Sequence, residues 1–193
     1  MPRIRLFLVM APALLMLSAC GINSIPTKEE AAKAAWANVQ ADLQRRNDLI
    51  GNLVETVRGF ATQEREVLTQ VTEARANAQR VQVTQDMLND EGAMARLAEA
   101  QNRINVTLQR LQEAYPELRS QENFQTLMVQ LEGTENRIAR SRERYNDAVR
   151  EYNTTIRTFP SVIGARVIYG SRPMTPFEAA PGAEVAPTVN FSR

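Results

Sequence analysis

Residues 36–71 read WANVQADLQRRNDLIGNLVETVRGFATQEREVLTQV, and this stretch decides the fold. Alternating steps of three and four pick out Trp36, Val39, Leu43, Arg46, Ile50, Leu53, Val57, Phe60, Glu64, Val67 and Val71, and of these only Arg46 and Glu64 are not apolar. A mean step of 3.5 residues keeps one face of a long helix turned toward a packed neighbour. Val54, Ala61 and Leu68 flank the row at seven-residue spacing. They widen the apolar face beyond a two-stranded seam, toward a bundle.

Outward from this stretch the same period recurs twice. Met94, Leu97, Gln101, Ile104, Leu108, Leu111 and Tyr115 form a second row, which Asn89 or Asp90 can cap and Pro116 stops. Phe124, Leu127, Leu131, Thr134, Ile138, Ser141, Tyr145, Ala148, Tyr152, Thr155 and Phe159 form a third, started by Ser120 or Asn123 and ended by Pro160. Upstream, Thr27-Lys28-Glu29-Glu30 has the form of a capping box that opens the first helix. The stretch 77–90 loses the period and reads as a connection. Together these predict an all-α chain: a long antiparallel up-and-down bundle of three to four helices over residues 27–159. As drawn, the three runs are unequal, about 50, 25 and 38 residues, or roughly 75, 37 and 57 Å. A break near Gly51 would even them out, yet the row passes through Gly51 in phase and leaves too few residues for a loop. A kink at Gly51 and a tight turn over 47–52 both fit.

The tail, 160–193, holds five of the nine prolines and three of the eight glycines and reads as irregular or extended. Val162, Ile163, Val167, Ile168 and Tyr169 are expected to pack on the end of the bundle, or alternatively to make a second membrane contact.

The N-terminus reads as an export signal over residues 1–19. Arg3 and Arg5 are followed by an apolar run from Leu6 to Leu17, shorter than the roughly 20 residues of a membrane span and broken by Pro12. Leu17-Ser18-Ala19-Cys20-Gly21 resembles the bacterial lipobox, in which the cysteine thiol takes a diacylglycerol and the signal is cut just before it. Residues 20–26 then form a lipidated tether. Cys20 is the sole cysteine, so no disulfide can form. The resemblance implies a lipid anchor in the cell envelope facing the periplasm, and Gly21 in place of Asp leans toward the outer membrane.

Composition narrows the function classes. Apolar residues make up 44% and aromatics 6%, a profile of long helices, and the precursor carries +1. Removing Arg3 and Arg5 leaves 21 basic against 22 acidic residues, with no cluster of like charge, which argues against nucleic-acid binding. Histidine is absent, so the commonest general base and the Glu-x-x-His metal pattern are missing. With Cys20 acylated, thiol chemistry goes too, and no enzyme, metal or cofactor is expected. Asn-x-Ser/Thr triplets at Asn105, Asn153 and Asn190 read as chance.

Arg46 and Glu64 interrupt the apolar row. Either each lies at a bundle edge with its charge in water, or they belong to a buried polar network that fixes register. The partners would come from Leu131-Glu-Gly-Thr-Glu-Asn-Arg137, where Gly133 permits close backbone approach. The candidate interaction or network residues are therefore Arg45, Arg46, Asp48, Gly51, Glu64, Glu132, Gly133, Glu135, Asn136 and Arg137.

Those residues also carry a resemblance. Gln44-Arg-Arg-Asn-Asp-Leu-Ile50, Asn52-Leu-Val-Glu-Thr-Val57, Gly59-Phe-Ala61, Val71-Thr-Glu-Ala-Arg75, Ala114-Tyr-Pro-Glu-Leu118 and Leu131-Glu-Gly-Thr-Glu-Asn-Arg-Ile-Ala139 follow one another as in the LemA family, which the chain resembles. Tyr145-Asn146, Tyr152-Asn153, Phe159-Pro160, Phe177-Glu-Ala179 and Pro187-Thr-Val-Asn-Phe191 complete the match. The resemblance implies a four-helical antiparallel bundle displayed from a membrane, and no activity. Many members have Pro at the place of Gly51 and an uncleaved N-terminal membrane helix in place of a lipobox. Two functions compete: a tethered interaction scaffold binding an envelope protein or itself, and a ligand-binding or sensing bundle with a cavity near Gly51 and Gly133.

Overall fold

The computed structural model describes residues 23–60, 84–114 and 121–178, together with positions 69, 71–73, 75, 76, 116 and 118. The lipobox with Cys20, Glu64, Val67, Tyr115, Ser120 and the segment Pro187–Phe191 lie outside the described residues. Helix α1 spans Ser24–Phe60, α2 Glu91–Ala114, α3 Glu122–Thr155 and α4 Ser161–Gly164, which runs on into a π-helical turn, Ala165–Tyr169. A 3-10 turn, Gln85–Asn89, leads into α2. Among the described residues there is no strand.

The helix starts differ in part from the sequence signals. α1 begins three residues before Thr27. Pro26 is accommodated because the first turn needs no N–H donor there. The Thr27 hydroxyl donates back to the Asn23 carbonyl at 3.0 Å, so it is inside the helix and no capping box forms. Asp90 does cap α2: its carboxylate accepts from the Ala93 N–H at 2.9 Å. α3 follows Gln121 without a side-chain cap, and Asn123 lies within its first turn.

Side-chain pairing gives the topology. Lys28 meets Glu151, Asp42 meets Ser141 and Arg46 meets Glu135, so α1 and α3 are antiparallel. The Trp36 indole donates to the Thr84 carbonyl at 3.1 Å, and Arg46 bonds Gln101 and Asn105. α2 therefore climbs alongside α1 in the same direction. The fourth pass is revealed at Gly51. The Arg75 guanidinium stands 3.0 Å from where a Cβ on Gly51 would sit. Twenty-four residues of straight helix would place them about 36 Å apart, so Arg75 belongs to a pass that has come back alongside α1. The described residues of the returning pass are helical. The order is up, down, up, down.

This bears on the two alternatives at Gly51. α1 runs through that residue, which excludes the tight turn over 47–52. What the glycine provides is room for the Arg75 guanidinium. The apolar row gave no sign of the reversal because Val71 is buried beside Val54 and Val57 after it.

The rows locate the core well. Trp36, Val39, Leu43, Ile50, Leu53, Val57, Leu97, Ile104, Leu111, Phe124, Leu131, Ile138, Tyr145 and Tyr152 are all buried. The third row drifts at its end: Val149 and Ile156 are buried where Ala148 and Thr155 were expected, and Phe159 is 77% exposed. A helix of 3.6 residues per turn slips about 20° per heptad against a 3.5 repeat, close to one residue over this length. The core divides into two clusters. One gathers Trp36, Leu43, Leu97, Ile138, Tyr145 and Phe177. The other gathers Ile50, Val57, Val71, Ile104, Phe124 and Leu131.

The tail also departs from expectation. Ile163, Val167, Ile168 and Tyr169 are exposed, and Val162 is half-buried; Gly164 and Ala165 are the residues turned inward. Gly170, at φ 57° and ψ 31°, ends the helical turn in the left-handed region open to glycine. Residues 171–178 then run extended along the bundle, burying Met174 and Phe177.

Candidate functional site

Two polar arrangements stand out against the apolar core. The first is a layer between the two clusters. Along α1 one cluster ends at Leu43 and the other begins at Leu49; on α2 the border falls between Ala98 and Ile104, on α3 between Leu131 and Ile138. Arg46, Gln101 and Thr134 occupy those borders and are all buried. Arg46 is 2% exposed, so for this residue an edge position with its charge in water is excluded. Its Nη1 donates to Gln101 Oε1 at 2.9 Å, and Nη2 donates to Asn105 Oδ1. Glu135 Oε2 lies 2.9 Å from the same Nη1, and Asn105 Nδ2 donates to Glu135 Oε1 at 3.3 Å. One guanidinium thus ties α1, α2 and α3 at a single level. Burial pulls the Arg46 pKa down and the Glu135 charge opposes it. Arg142, seven residues beyond Glu135 on α3, feels the same two influences in the same order. A single carboxylate, 43% exposed, therefore pairs with buried Arg46 and lends its charge to half-buried Arg142.

The second arrangement straps the tail to α3. Asn153 accepts from the Met174 N–H at 2.9 Å and donates to the Met174 carbonyl at 2.8 Å. Asn146 does the same for Phe177, at 2.8 and 3.1 Å. The spacing explains the fit. Seven helical residues rise about 10.5 Å, and three extended residues span about 10 Å. Between the two clamps the Tyr145 hydroxyl donates to the Thr175 carbonyl at 2.7 Å, and the Thr175 N–H reaches the Leu88 carbonyl at 2.6 Å. Phe177 then packs edge-on to Trp36, with ring centroids 6.1 Å apart, and under the Arg142 guanidinium at 4.7 Å. Burial pushes the Tyr145 phenol well above its ordinary pKa. The layer and the strap meet at Arg142.

Of the expected site residues, Arg46, Glu135 and Gly51 are brought into buried contacts. Arg45, Asp48, Glu132, Asn136 and Arg137 are exposed, and Asp48 accepts locally from Gln44 at 2.9 Å. Gly133 has open space around its Cβ direction, so it serves no close approach. A solvent-open cleft of about 320 Å³ lies at the end where α1 begins, lined by Glu29, Lys33, Asp86, Tyr152, Ser171 and Arg172. There Lys33 is held above its usual pKa, first by its hydrogen bond to Glu29 and then by that to Glu30.

Sequence reasoning missed Asn105, Asn146, Asn153 and Arg142. Two signals could have found them: the coincidence of polar breaks in all three rows, and a pair of Tyr-Asn dipeptides one heptad apart. Asn105 and Asn153, dismissed as chance glycosylation triplets, have their amides committed to these contacts. Chemically the arrangement can hold register and a folded tail. Among the described residues no group of three or more carboxylates or other donors is placed to hold a metal. No described helix is long and apolar enough to cross a membrane.

The comparisons follow the same span. The model of the LemA family matches residues 35–191. Magnetosome protein MamQ of Magnetospirillum gryphiswaldense is 28% identical over 157 residues, covering 72% of this chain. Magnetosome protein MamQ 1 and MamQ 2 of Paramagnetospirillum magneticum show the same identity and coverage. The alignment spans 58% of the length of each of these relatives.

Proposed function

The chain belongs to the LemA family, and from that premise we propose that it is a membrane-anchored cell-envelope lipoprotein whose bundle acts as an interaction scaffold rather than as an enzyme. The observation that carries this reading is the division of labour among its polar residues. The buried ones are spent on register and on the strap, while Arg45, Asp48, Glu132, Asn136 and Arg137 line exposed helix faces. Such a rigid, charged rod can display a constant surface to an envelope protein or to a second copy. The anchor is the acylated Cys20, facing the periplasm, with the outer membrane favoured. The match spans 58% of the length of the relatives named for the magnetosome, and a magnetosome role is not transferred. A second reading, a ligand-binding or sensing bundle, is favoured by the polar cleft beside Lys33 and Arg172.

The test uses the protein isolated from its own membranes. Intact mass should show a chain beginning at Cys20 with added diacylglycerol, and the Cys20→Ser variant should lose that mass. Photo-crosslinkers at Glu132 and Arg137 should yield one stoichiometric protein adduct, another protein or the chain itself. A small molecule bound in the cleft, with no adduct from either face, would favour the sensing reading.

A further inference from the structure

Seven large hydrophobic side chains are exposed among the described residues, and five of them fall within eleven positions: Phe159, Ile163, Val167, Ile168 and Tyr169. The pattern is the reverse of a core helix. Phe159, in the turn before α4, Ile163 within it and Val167 in the π-helical turn after it are 77%, 57% and 79% exposed, while the inward positions are Gly164 and Ala165. Exposed contiguous apolar surface of this kind marks a contact.

Charge and position identify what is contacted. From Tyr152 to Phe177 the chain has no acidic residue and three arginines, Arg157, Arg166 and Arg172, each exposed. An apolar face bordered by cations is the chemistry of a helix lying in an anionic lipid surface. The patch also sits at the end of the bundle where α1 begins. The Tyr169–Arg172 segment shares the cleft with Glu29 and Lys33, and Lys28 pairs with Glu151 at the close of α3. Cys20 precedes Ser24 by four residues, which span at most about 14 Å. We propose that residues 159–169 form a second membrane contact, with the apolar side chains entering the outer part of the bilayer and the arginines meeting lipid phosphates. This rests on the reading that the N-terminus is held at a membrane. It adds that the bundle is fixed at two points and stands with α4 against the lipid.

Because Cys20 is the chain's one cysteine and is acylated in the mature protein, Val167→Cys supplies a single free thiol for a nitroxide label. The labelled lipoprotein is reconstituted in vesicles of phosphatidylethanolamine and phosphatidylglycerol, with Val129→Cys, an exposed apolar position on α3, as reference. Collision with oxygen relative to a water-soluble nickel chelate should be several-fold higher at 167 than at 129. Adding Ile163→Asp and Ile168→Asp should bring 167 down to the value at 129 without moving the melting temperature. Equal ratios at the two positions overturn the proposal. So does dipolar broadening at 167 with no lipid exposure, which would identify a second copy as the occupant. Intact mass reports on the lipid anchor separately: an uncleaved, unacylated chain still inserted by its apolar run would refute lipidation, and the depth at 167 would then be read with Cys20→Ser added, so that the label again has one thiol.

Discussion

Removing either member of the Arg46–Glu135 pair should not cost the same, and the asymmetry follows from where each charge is left. Arg46→Leu strands a carboxylate that is 43% exposed and still solvated, together with the buried acceptor of Gln101 and the half-buried Asn105. An unsatisfied buried acceptor costs about 1–3 kcal/mol, and the apolar surface of leucine offsets part of that, for a net loss of roughly 1–2 kcal/mol. Glu135→Leu instead leaves the buried Arg46 guanidinium, and the half-buried one of Arg142, without their shared counter-charge. Breaking a buried pair this way costs about 3–5 kcal/mol, and the surviving bonds from Arg46 to Gln101 and Asn105 hold it near 3. Urea unfolding of the mature protein in detergent measures the differences directly. In a chain of this size each kcal/mol also moves the melting temperature by about 2–4 °C. Glu132→Leu, three residues away and exposed, should stay within about 0.5 kcal/mol. The double variant Arg46→Leu/Glu135→Leu should be no less stable than Glu135→Leu alone, because one of the stranded cations is gone. Equal losses for the two single variants, or a stabilised Arg46→Leu, would refute the account of the layer.

Three further outcomes are expected. Asn153→Ala removes both hydrogen bonds to Met174, a local loss of about 1–3 kcal/mol, so amide exchange at Met174 should accelerate while that at Leu131 stays unchanged. A parallel change at Leu131 would mean the strap does not open independently. Gly51→Ala should raise stability by up to about 1 kcal/mol through helix propensity, since only the flexible end of Arg75 has to move; a fall in the urea midpoint would show that Arg75 cannot yield. The Tyr145 phenol has its folded pKa raised by burial, so its contribution is whole below the unfolded value near 10 and is lost as pH rises above it. Alkaline unfolding should therefore begin above about pH 10, and Tyr145→Phe should flatten that limb while costing stability at neutral pH through the lost bond to Thr175. An unchanged alkaline limb would argue against this assignment.

How much could be read from the sequence depended on whether the signal was periodic. The rows beginning at Trp36, Met94 and Phe124 placed the core because a helix repeats its environment every three or four residues, and burial follows that repeat directly. The rows also marked Arg46, Gln101 and Thr134 as polar breaks, which is where the polar layer lies. They could not show that Val71 and Arg75 belong to a returning pass, since residues on two antiparallel passes can keep one apparent phase. Nor could they show that a glycine in α1 makes room for a guanidinium arriving from the next pass.

The chain's all-helical character, the identity of most core residues and its membership of a bundle family were thus set by local chemistry, which the sequence states outright. Which polar residues meet was decided in three dimensions. Glu135 reaches Arg46 from 89 residues away, and Asn146 and Asn153 find the tail only because helical rise and extended rise coincide there. The outward turn of Ile163, Val167 and Ile168 likewise belongs to the tertiary level, because an apolar residue carries no mark of whether protein or lipid will cover it.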